Sequence, residues 1–160
     1  MFSGKEENKL EKLGQGCTFT YDEQLWLITE VAEYDWRSDG KSVEYTIISK
    51  DKQTAYLEVE FTEGDYEIYF SKEVFIDEGI LEDALENEII EFKGKEFELE
   101  EDYRGSYKNI TTQTAWEQLE SYLFYKKNKI LTIEKWDDGS YESFYGFELK
   151  KKAITNITPL

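Results

Sequence analysis

"VEYTIISKDKQTAYLEVEFTEGDYEIYFSKEV", residues 43–74, decides how the chain folds. Three runs of β-branched and aromatic residues alternate with polar ones, and "KDKQT" and "EGDY" separate them. Period-two alternation between turn signals reads as an antiparallel meander. Residues 119–149, "LESYLFYKKNKILTIEKWDDGSYESFYGFEL", lie over this stretch with two residues lost in the first turn and one gained in the second. Glu44 then falls on Glu120, Leu57 on Leu131, Glu60 on Glu134, Gly64 on Gly139 and Glu67 on Glu142. Gaps confined to turns are what homologous hairpins show. The chain therefore reads as a tandem duplication.

The fold expected is mainly β: two similar antiparallel meanders, packed as a sandwich or as paired small barrels. One short helix is expected at the junction, near 77–86, where Ile80, Leu81, Ala84 and Leu85 share a helical face behind Asp77 as N-cap. Residues 1–160 are expected to form a single domain, with a polar leader at 1–16 and pseudo-repeats at about 17–76 and 89–154. Leu10 and Leu13 are candidates to cap a core edge. Tight turns are expected at Asp22-Glu23, Asp39-Gly40 and Lys93-Gly94.

Charge bounds the function. Nineteen basic against thirty-six acidic residues give a net −17. Phosphate backbones and anionic lipid would be repelled, so neither direct nucleic-acid binding nor membrane insertion is expected. The partner expected is a protein, with a basic one the best match to the charge. Residues 77–102 concentrate the effect, holding twelve acidic residues and two lysines. That density could imitate phosphate spacing, or it could be a solvated edge that discourages aggregation.

Histidine is absent and Cys17 is the only cysteine. Ser-His and Cys-His nucleophiles, histidine metal sites, thiolate clusters and internal disulfides are thereby excluded. No nucleotide-binding glycine motif occurs, and no cofactor or metal is expected. The opening residues carry no apolar signal-like run, which makes the cytoplasm the expected location.

Two segments resemble a known family. "VEYTIISKDKQTAYLEVE" is similar to a W-x-E-Y-x-L … W-L-x-V-E stretch, with Val43 and Tyr56 standing near the usual tryptophans. "LTIEKWDDGSYESFYGFEL" is similar to a closing Leu-x-x-Glu-x-Trp stretch followed by an aromatic-Gly turn. On these motifs the chain resembles, over roughly residues 14–156, a bacterial family known as domain of unknown function 4178. The resemblance implies a β-rich cytosolic domain and brings no catalytic residues.

Three groups of residues carry candidate chemistry. "WDDGSYE", from Trp136, lacks the alternate-oxygen spacing of a calcium loop and reads as a hairpin tip. Glu44 and Glu60 recur as Glu120 and Glu134; paired across a cleft they could perform acid–base chemistry, and on a solvent face they would be ordinary. Trp36, Trp116 and Trp136 could rim a binding surface or fill a core. The function expected is a non-enzymatic binding or adaptor domain with an acidic, aromatic-rimmed surface. Nucleic-acid mimicry against a DNA- or RNA-binding protein is the alternative, and a carboxylate enzyme the third.

Overall fold

The computed structural model describes residues 10–62 and 64–160, so most of the polar leader lies outside the described residues. The strands are β1 (Thr18–Tyr21), β2 (Gln24–Asp35), β3 (Lys41–Ser49), β4 (Thr54–Thr62) and β5 (Asp65–Val74). Helix α1 (Glu78–Asn87) follows, then β6 (Ile89–Phe92), β7 (Lys95–Asn109), β8 (Glu117–Lys126), β9 (Lys129–Trp136), β10 (Tyr141–Leu149) and β11 (Thr155–Thr158). The mainly β class and the short helix after the first meander are as expected. Asp77 caps α1, its Oδ2 accepting from the Gly79 N–H at 3.1 Å. Asp22-Glu23 and Lys93-Gly94 form two-residue turns with both residues at positive φ, which suits the twist of the flanking strands.

One antiparallel sheet runs through both meanders, in the order β11-β1-β2-β3-β4-β5-β10-β9-β8-β7-β6. A further pairing, β2 with β7, closes β2 through β7 into a ring of eight strands. The meanders are thus two halves of one ring, not separate bodies. Two glycines let backbones approach at the joins. A Cβ on Gly105 would lie 2.5 Å from the Asp35 carbonyl oxygen and 2.7 Å from Trp36 Cε3, beside the β2–β7 join. A Cβ on Gly146 would collide with the Phe70 carbonyl and lie 2.6 Å from Ser71 Cα, where β5 meets β10.

Both β2 and β7 serve two sets of neighbours. The first four residues of β2 pair with β1 and its last four with β7, while the first four residues of β7 pair with β6. The peeled-off ends cover the outside of the ring. Phe19 of β1, Ile154 beside β11, Leu10 and Leu13 pack on Trp26, Ile28, Ile47, Leu57, Val59 and Ile68. Leu81 and Ala84 of α1, with Ile90 and Phe97, pack on Phe124, Leu131 and Ile133. The apolar phase of each meander therefore points outward, under cover, and its polar phase lines the inside of the ring.

The meanders repeat in form but not in full register. In their second hairpins Glu60 stands opposite Glu67 and Glu134 opposite Glu142, as the alignment requires. In their first hairpins Glu44 stands opposite Glu58, whereas Glu120 stands opposite Lys135. The first loop spans five residues, 49–53, and its counterpart only two, 127–128. An odd difference exchanges the two faces of a strand. Glu44 and Glu120 are consequently not equivalent in position.

Candidate functional site: a carboxylate cavity inside the ring

The inward residues of seven ring strands, with Trp36 at the end of β2, enclose a cavity of about 80 Å³. That is space for several waters or for the end of a short side chain. Six acidic residues line it: Asp39, Glu44, Glu58, Glu60, Glu101 and Glu134. No lysine or arginine does so among the described residues. A cleft of about 590 Å³ on the neighbouring surface shares Glu44, Glu134 and Phe144 with the cavity and is bordered by Tyr107, Trp136 and Glu142.

The deepest carboxylates are held by neutral donors. The Tyr34 hydroxyl lies 3.0 Å from Glu134 Oε2 and 3.3 Å from Glu44 Oε2. Ser42 Oγ donates to Glu58 Oε2 at 2.6 Å and accepts from the Trp36 indole N–H at 3.0 Å. Tyr34 stacks on Trp36 with ring centroids 4.7 Å apart and leans on Tyr107 at 5.1 Å, which fixes its hydroxyl in place. Glu134 is almost fully buried. Glu44 and Glu58 are half-buried; both line the cavity, and Glu44 also borders the neighbouring cleft.

Burial without a counter-cation penalises the charged form of each acid. Glu44 is pushed up to about 8 by burial and then by the Glu58 charge, against the lowering effect of its Tyr34 hydrogen bond. Burial pushes Glu58 up to about 7, opposed by the Ser42 hydrogen bond. Glu134 is raised well above the carboxylate range by burial and by Glu44 and Glu58. Tyr34 is raised well above the usual phenol range by burial and the same acids. Among the described residues no three His, Cys, Asp or Glu side chains converge to ligate one metal ion. The arrangement suits a polyatomic cation or the movement of a proton.

The structure brings together Glu44, Glu134 and Trp36 from the predicted set. Glu60 joins them on the cavity wall, half-buried and raised by burial and by Glu67. Trp136 borders the adjoining cleft, its indole donating to Glu142 Oε1 at 3.0 Å. Glu120 stands on the outer face, paired with the Arg104 guanidinium at 2.8 Å, and is remote in role from the cavity acids. Trp116 is exposed, with the Lys108 ammonium over its ring. The Asp138 run is a hairpin tip, as expected: Asp138 Oδ1 accepts from the Ser140 N–H and Oγ. Only Gly139 takes positive φ there, so the turn is not the type I′ pair that Asp-Gly suggests.

Sequence reading missed Tyr34, Ser42, Glu58 and Glu142. One signal was present: strand pairing sets Glu44 against Glu58, Glu60 against Glu67 and Glu134 against Glu142. Like charges directly opposed are unfavourable on a solvated face.

The chain is 29% identical to an uncharacterized protein of Aquifex aeolicus (strain VF5), an alignment covering 99% of this chain and 94% of that one. No solved structure matches it. Among the described residues no helix is long and apolar enough to cross a membrane. Residues 14–151 match the sequence model of the family described as "Domain of unknown function (DUF4178)", and the chain belongs to that family.

Proposed function

We propose that the protein is a binding module whose site is the interior of the ring, and that its ligand is basic. The observation that carries this reading is the cavity wall, where six acids meet no basic side chain among the described residues. Uncompensated buried carboxylates destabilise a fold unless something offsets them, and a cationic ligand does. The acidic band of α1, β6 and the start of β7 adds a long-range field that would draw a basic ligand or protein toward the molecule.

A thermal-shift series over small organic cations, anions and neutral solutes tests the reading, with Ser121→Leu as the blocked variant. Stabilisation by a solute in the native protein, lost in the variant, supports it. No shift with any solute, or equal shifts in both proteins, overturns it.

A second reading is acid–base catalysis by Glu44 and Glu134. Glu44 at about 8 is matched to proton transfer near neutrality, and the pair stands in a concave site. Mimicry of nucleic acid would instead use the outer acidic band, and would show as a complex that dissolves at high salt.

A further inference from the structure

The Tyr34 hydroxyl has one proton and two carboxylate neighbours, Glu134 at 3.0 Å and Glu44 at 3.3 Å. It can donate to one of them only. With both acids ionised, the second contact would set two lone-pair oxygens against each other beside the buried Glu134. The second contact is favourable when that carboxyl group carries a proton and donates it to the Tyr34 oxygen. The groups facing this trio are Glu58 on β4, Tyr107 on β7 and Glu142 on β10, and none of them is a cation.

Ser121 supplies an independent observation. It is 3% exposed, stands opposite Glu134 across β8 and β9, and lines the cavity, where its hydroxyl opens onto the space and bonds no other described residue. A hydroxyl that opens onto a cavity and bonds no side chain of the wall is available to whatever enters. The acids next to it each have one oxygen committed, to Tyr34 or to Ser42, and one oxygen left over. Single oxygens on separate carboxylates do not offer the two-pronged acceptor that a guanidinium prefers. They match the three divergent donors of a primary ammonium. Trp36 and Tyr103 at the wall provide ring faces for its alkyl stem.

We infer that the cavity takes up a primary ammonium group, from a small free amine or from a lysine side chain of a partner, in exchange for the proton shared by Glu44, Tyr34 and Glu134. This rests on the cavity being the binding site. In the exchange the carboxylic O–H bond breaks, its proton passes to solvent, and the oxygen that donated to Tyr34 accepts from the incoming N–H instead, so the new cation offsets the second carboxylate charge. The ammonium keeps all its protons, so the net charge inside the ring changes by replacement only.

Calorimetry with n-butylamine at pH 7, in phosphate and in MOPS, neither of which is a primary amine, tests the exchange, since the difference in heat between the two buffers counts released protons. Release approaching one proton per amine bound is expected at pH 7, shrinking as pH rises. Glu134→Gln, which keeps an acceptor for Tyr34, should weaken binding at least tenfold and abolish the release. Ser121→Ala, which leaves the fold intact, should weaken binding several-fold. The neutral isostere n-butanol should not bind. Binding by butylamine alone assigns a free amine, and binding by a short lysine peptide as well assigns a partner's side chain. Equal heats in both buffers, or equal affinity for butanol, overturns the inference. Butanol binding that Ser121→Leu abolishes would overturn the amine assignment while sustaining the cavity reading; no binding of any solute defeats both.

Discussion

At the scale of residues, the buried acids invert the usual acid sensitivity of proteins. Glu44 and Glu58 ionise in the folded state near 8 and 7, against ordinary values near 4.5. Between those limits the folded protein binds more protons than the unfolded chain, so stability falls as pH rises. The contribution is complete below about pH 4.5 and is lost progressively as pH climbs through 7 and 8, up to about 1.4 kcal/mol per unit for each group. Urea midpoints should accordingly be higher at pH 5.5 than at pH 8. A flat or opposite trend would contradict the placement of these acids. Glu134→Gln removes one ionisable group and should stabilise the protein more at pH 8 than at pH 5.5. Tyr34→Phe leaves Glu44 and Glu134 without their donor and should lower stability by about 1–3 kcal/mol, read by the same urea titration.

Single elements show where sequence reading holds. Helix α1 is legible because Asp77 and the 80, 81, 84, 85 spacing are local signals. Replacing Asp77 by Ala should cost about 1 kcal/mol and speed amide exchange in the first turn, with the ring unaffected. The strands and the two-residue turns are legible for the same reason. The face of each strand is not. Alternation separates an apolar phase from a polar one, and a polar phase reads as solvated unless something across the chain encloses it. Glu44 and Glu134 belong to hairpins ninety residues apart and meet only through Tyr34 on a third strand. The join that encloses them, β2 with β7, depends on Gly105 leaving room for Asp35 and Trp36. Gly105→Ala should therefore destabilise by about 1–3 kcal/mol or more, and exchange should rise first at Ala32–Asp35 and Ser106–Asn109.

For the whole molecule, closure turns two ordinary meanders into one vessel. The family resemblance and the β class were visible in aromatic and alternation patterns, while the vessel was not, since a pairing such as Ala32 with Asn109 leaves no local mark. The apparent repeat also suggested symmetric acids, and the unequal loops at 49–53 and 127–128 undid that symmetry. The strand order has one more consequence, in time. A nascent chain emerging from a ribosome presents Tyr34, Glu44 and Glu58 long before Glu134 is made. Until β9 and β10 arrive, those early acids face water and ionise as they do in any peptide. Enclosing them should therefore be coupled to proton uptake, so refolding into the closed ring should take up protons from the medium and be less favourable at alkaline pH.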